Sequence, residues 1–97
     1  MENFGVIRHY HFNAKDSALI DSQIKEFFVP LIKKQPGFVR YYFLDDGKGE
    51  GASVSIFKTK AEAEATIALA AEFVSKHLKG VITQKPEIIE GSIVAHD

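Results

Sequence analysis

Val6 to Phe12 reads VIRHYHF and packs an arginine, two histidines and a tyrosine into one short stretch. As a β-strand it would alternate its side chains, so His9 and His11 share one face while Arg8 and Tyr10 share the other. Imidazoles bind metals and carry protons near neutral pH. A metal site, however, needs three or four converging ligands. The residues after His11 are Phe12, Asn13, Ala14, Lys15 and Asp16, with no glutamate at the short spacing a cupin-like site uses, and His96 is nearly terminal. No metal is therefore expected, and His9 and His11 are expected to be polar members of a dimer interface. Arg8 and Tyr10, with Arg40 and Tyr42 farther along, bring guanidinium and phenol groups. Such groups orient an aromatic or acidic small molecule and stabilise an enolate or phenolate. His77 follows Leu69 and Phe73 at a spacing of four, on an apolar helical stripe where it could act as a general base.

The elements that position these residues follow from pattern. Residues 4–12 alternate in β-rich types and predict strand 1. Asn13 or Asp16 can cap a helix over about 16–34, whose apolar face is Leu19, Ile20, Ile24, Phe27, Phe28, Leu31 and Ile32. Pro30 inside that pattern predicts a kink, Lys33 and Lys34 suit the helix end, and QPGF turns the chain. FVRYYFLD, 38–45, predicts strand 2, and ASVSIFK, 52–58, predicts strand 3. The glycine-rich DDGKGEG between them joins two strands instead of opening a helix, so it is a turn and not a phosphate cradle. Thr59 to Glu62 forms a capping box for a second helix over about 60–79, with Ile67, Ala70, Ala71, Val74 and Leu78 on one stripe and Gly80 as its stop. PEIIEGSIVAH, 86–96, predicts strand 4 with a bulge at Gly91.

The order βαββαβ predicts an α+β, ferredoxin-like sandwich with both helices on one face of an antiparallel sheet. Phe12 and Phe38 flank the first helix and should pack beneath it. That puts Val6, Arg8, Tyr10 and Phe12 on the helix side of strand 1, and Phe38, Arg40, Tyr42 and Leu44 on the helix side of strand 2. Arg8, Tyr10, Arg40 and Tyr42 are then the substrate-binding candidates. Ile7, His9, His11, Tyr41 and Phe43 look the other way. A sheet apolar on both faces needs a second cover, and with no chain left to supply it a homodimer is expected.

The 97 residues fit one domain, 1–97, and the absence of cysteine excludes disulfides and thiolate chemistry. A net charge of −1 gives no long-range pull on nucleic acid. The RNA-recognition fold shares this element order, but Ser53, Val54 and Ser55 stand where its stacking rings belong, so no nucleic-acid partner is expected. No apolar run reaches membrane-spanning length and no leader pattern is visible, so no membrane partner and a cytoplasmic location are expected.

The stretches VIRHYHF, FVPLIKKQPGF, SVSIFKTKAEAEA and AAEFVSKHLKGV together resemble the antibiotic-biosynthesis-monooxygenase-like family of dimeric α/β barrels, in particular its small stand-alone bacterial members. The resemblance spans nearly the whole chain. It implies two sheets packed face to face across a dimer axis and a ligand between helices and sheet. Characterised members include cofactor-free oxygenases of polyketide anthrones, quinol-handling oxygenases and haem degraders. The haem degraders use an Asn–Trp–His set. This chain has no tryptophan and its Asn3 is close to the terminus, which disfavours haem chemistry. The resemblance implies a cofactor-independent monooxygenase or related enzyme acting on a small aromatic, polyketide-like or quinol molecule, with His77 as the catalytic candidate. The alternative is a non-catalytic small-molecule-binding dimer, suggested by the lack of a tight acid–base constellation.

Overall fold

The computed structural model describes residues 2–97. Four strands, β1 (Phe4–His11), β2 (Phe38–Asp45), β3 (Glu50–Phe57) and β4 (Glu87–Ser92), form one antiparallel sheet in the order β2-β3-β1-β4. This is the α+β, ferredoxin-like arrangement expected from the element order. The first crossover is a helical rod built from a 3₁₀ turn at Ala14–Asp16, α1 (Ser17–Gln23), a π segment at Ile24–Phe28 and α2 (Val29–Lys33). The second crossover is α3 (Lys60–His77).

Local chemistry accounts for these boundaries. Asn13 accepts the Lys15 N–H and starts the first rod. Pro30 lacks the N–H that an α-helix would direct at the Glu26 carbonyl, and its ring crowds that carbonyl. The rod relieves this by widening: Val29 N–H reaches back five residues to the Ile24 carbonyl. The expected kink is thus a π segment, and it turns Ile24 and Phe28 into the core. Thr59 caps α3 by accepting the Glu62 N–H. The DDGKGEG turn is held by its own aspartates, Asp45 accepting from Gly47 N–H and Asp46 from Lys48 and Glu50 N–H. Gly49 has φ +101° and lies against the Phe12 carbonyl, where a Cβ would come within 2.6 Å, so only glycine fits.

Two expectations change in the sheet. The β2–β3 register shifts between Phe38 and Arg40. Phe38 still faces the helices, but beyond the shift every side chain has changed face. Tyr41 and Phe43 lie opposite Ser55 and Ser53 on the helix side, while Arg40, Tyr42 and Leu44 are exposed on the open face. In β4 the pairing runs without a shift from Ser92 to Glu87, so there is no bulge at Gly91.

The core lies between sheet and helices. Val6, Phe57, Ile20, Ile32 and Leu78 are almost wholly enclosed. The buried stripe of α3 is Ala63, Thr66, Ala70 and Phe73, about one position away from the expected stripe, with Ile67 and Val74 at its margin. Phe28 packs on both Tyr41 and Phe73 at ring distances of 5.3 and 5.0 Å. The opposite sheet face stays open. Across it Tyr42, Val54, Ile7 and Ile89 form one continuous row. Among the described residues, no helix is long and apolar enough to cross a membrane.

Candidate functional site

A cleft of about 370 Å³ opens between α3, the sheet and the segment 82–88. Its walls are mostly aliphatic, including Ile67, Ala71, Val74, Ile82 and Ile88, and Lys85 stands at its rim. Arg8 and Tyr10 line it and also line a void of about 20 Å³ deeper in, which Phe28, Phe43, Tyr41 and Phe73 help enclose. That void is the size of one water-like molecule.

Arg8 is the unusual residue. It points inward because β1 alternates, and it is 1% exposed. Its Nη1 donates to Ser55 Oγ (3.3 Å) and, at a long 3.5 Å, to Ser53 Oγ; its Nη2 donates to Thr66 Oγ1 (3.0 Å). Its Nε–H has no acceptor. Among the described residues no carboxylate pairs with it. Buried cations are costly unless paired, and this guanidinium is held only by three hydroxyls, with one charge unmatched. Burial pulls its pKa down, countered in part by Tyr10 and Tyr41, yet an arginine stays protonated at neutral pH.

The two phenols beside it are neutral donors. Burial pushes the Tyr10 hydroxyl's pKa up, and Arg8 pulls against that. Tyr41 is raised further, by burial and then by Tyr10, against the opposing pull of Arg8 and a hydrogen bond with Ser53. In the cleft, one lasting positive charge, the Tyr10 phenol and an apolar wall match a planar organic anion.

The structure thus brings together Arg8 and Tyr10 from the sequence-derived set but places Arg40 and Tyr42 on the other face. Tyr41 and Phe43, expected at the dimer interface, stand at the inner void instead. His77 is exposed and lines neither cavity. Its ring lies between Phe27 and Phe73, at centroid distances of 5.0 and 4.7 Å, and its Nδ1 is 3.2 Å from Gln23 Oε1. It ties α3 to the first rod. Ser53, Ser55 and Thr66 were missed as Arg8's partners. The alternation of small Gly51, Ser53 and Ser55 along β3, and one threonine in the apolar stripe of α3, were the available signals.

Between the first rod and β2, Asp21 and Asp45 line a third cavity of about 270 Å³. Burial, then the hydrogen bond and charge of Asp45, hold the Asp21 carboxyl above the usual carboxylate range. A carboxyl that binds its proton more tightly when folded contributes stability at low pH, and this is lost as pH rises from the unfolded value through the folded one. Asp21→Asn is expected to remove that slope and, by donating an amide N–H to Asp45, to add about 0.5–1 kcal/mol at neutral pH. Urea unfolding at acid and neutral pH checks both.

Comparison with solved structures places the architecture. NE2512, a protein of unknown function from Nitrosomonas europaea, superposes with a TM-score of 0.82 at 15% identity, over 100% of this chain and 94% of that one. A second Nitrosomonas europaea protein, provisionally assigned as an antibiotic biosynthesis monooxygenase, gives 0.79 at 11% identity, over 96% and 91%. The chain has the fold of the antibiotic-biosynthesis-monooxygenase-like proteins. A dimeric ferredoxin-like protein from an uncultured marine organism shares that fold with a TM-score of 0.74 at 19% identity, over the whole of both chains. No family model matches the sequence, and no curated protein matches it. At these identities the likeness concerns the fold, and function is argued from the cleft.

Proposed function

We propose that the cleft binds a small planar organic anion at Arg8, and that the protein is a cofactor-independent monooxygenase or related enzyme acting on an anthrone- or quinol-type aromatic. The observation that carries this reading is the buried, carboxylate-free Arg8 lining an apolar cleft. A fixed cation in a dry site stabilises an enolate or phenolate much more than water does. Such an anion is electron-rich enough to reduce oxygen itself. In the anthrone case a CH₂ and O₂ become a carbonyl and water, with no external reductant.

A second reading, a binder without turnover, is favoured by one observation. Among the described residues lining the two cavities, Lys85 at the rim is the one conventional base, since both phenols are held neutral and His77 stands elsewhere. Both readings share the anion and differ in oxygen uptake.

The open sheet face is assigned in the same proposal to a second copy of the chain, packed sheet to sheet. The support is its exposed apolar row, with Ile89 70% and Tyr42 53% exposed, together with the dimeric relatives of the same fold.

Oxygen-electrode assays with anthrones and hydroquinones test the reaction. The expected result is uptake of one O₂ per anthrone, with kcat/KM reduced at least about 100-fold by Arg8→Met and changed little by His77→Ala. Binding without uptake across the panel selects the second reading, and neither binding nor uptake overturns both.

A further inference from the structure

We infer that His9, His11, Glu50 and Glu87 form a binding site for one divalent transition-metal ion, with Zn²⁺ the best chemical fit. The sequence offered only the two histidines. The sheet register supplies the rest: Glu50 lies opposite His11 on β3, and Glu87 lies opposite His9 on β4. Three strands therefore deliver their ligands to one end of the open face. The site is independent of the cleft, because Arg8 and His9 are neighbours on opposite faces.

The geometry is that of a ligand set. Glu50 Oε1 is 2.9 Å from His9 Nε2 and 3.7 Å from His11 Nδ1, and Glu87 Oε1 is 3.3 Å from His9 Nδ1 and from His11 Nε2. His9, His11 and Glu50 each present a ligand atom within 4.8 Å of the others. Ligands held at about 2.0–2.1 Å around a tetrahedral Zn²⁺ stand about 3.3–3.4 Å apart; the present contacts engage both nitrogens of each ring, so His9, His11 and Glu50 close around the ion from within 4.8 Å and Glu87 joins them once the rings turn. With both imidazoles neutral it carries the two negative charges of its glutamates, which a divalent ion cancels. Two nitrogen donors beside carboxylate oxygens favour Zn²⁺-class ions over Ca²⁺ and Mg²⁺, which take oxygen ligands. In the single chain the side chains are partly exposed, 38–73%, so the rings can turn to direct one nitrogen each at the ion; a water, or a group of the second copy proposed to cover this face, can complete the shell.

Titration of the whole protein with ZnCl₂ against a chromogenic chelator tests this. The expected result is one Zn²⁺ per chain at micromolar Kd or tighter. His9→Ala, His11→Ala and Glu87→Gln should each weaken it at least tenfold, and His77→Ala and His96→Ala should leave it unchanged. Imidazole ¹H–¹⁵N spectra give a second readout that needs no variant: Zn²⁺ should move the His9 and His11 signals and not those of His77. Absence of binding at submillimolar Zn²⁺ overturns the proposal. So does binding that survives loss of both His9 and His11, or a shift confined to His77 or His96.

Discussion

The Arg8→Met variant is expected to melt roughly 5–10 °C higher than the wild type while binding a planar aromatic anion at least about 100-fold more weakly. The two effects have one cause. Arg8 is wholly enclosed and balanced only by the hydroxyls of Ser53, Ser55 and Thr66. Replacing an imperfectly satisfied buried charge with an apolar side chain of similar length stabilises a fold by about 1–2 kcal/mol. Thr66 keeps a partner, since its hydroxyl also donates to the Ala63 carbonyl at 2.6 Å. The same substitution removes the one fixed cation in the cleft, and losing a desolvated charge-assisted contact costs a ligand about 2–5 kcal/mol. Thermal melts and a fluorescence titration with 1-hydroxy-2-naphthoate measure both. If Arg8 were a structural residue alone, the melting temperature would fall instead.

The double variant Ile7→Glu/Ile89→Glu is expected to convert the protein from dimer to monomer at micromolar concentration. These residues face each other across β1 and β4 in the middle of the open face, and they are 38% and 70% exposed in the single chain. In a lone protomer the carboxylates stay in water and cost little. In a sheet-to-sheet dimer each copy would bury two, without partners, at several kcal/mol per charge. A loss of at least about a thousandfold in dimer affinity follows. Light scattering with the wild type as reference reads it directly. A double variant that keeps the wild-type mass would place the contact elsewhere, and a monomeric wild type would remove the dimer altogether.

The fold was legible because its signals are local. Alternation in ASVSIFK and the cap at Thr59 each fix an element without knowledge of its neighbours. Arg8 and Tyr10 were also placeable, from the continuity of β1 into Phe12 beneath the first rod. The β2 side chains were not, because one register shift next to Phe38 inverts every face beyond it. The pattern held a hint: charged Arg40 belongs with the open face, and bulky Tyr41 and Phe43 belong opposite the small Ser55 and Ser53. His77 stands away from the cleft; helical spacing shows which stripe a residue joins but not which cavity that stripe borders. The neighbourhood of Glu50 and Glu87 was beyond reach, since only the pairing of β1 with β3 and β4 brings such distant positions to His9 and His11.

The central claim is that the cleft takes an organic anion on Arg8, and its sharpest probe is the arginine side chain. Arg8 Nε–H has no acceptor in the folded chain, so a carboxylate or phenolate bound beside it would supply the missing one. Arginine-selective ¹H–¹⁵N spectra during titration with 1-hydroxy-2-naphthoate should show one Nε–H signal moving strongly downfield, accompanied by the Ser53 and Ser55 amides, and absent from Arg8→Met. An Arg8 signal that stays still while the ligand binds, or shifts confined to Arg40 and the open face, would contradict the account.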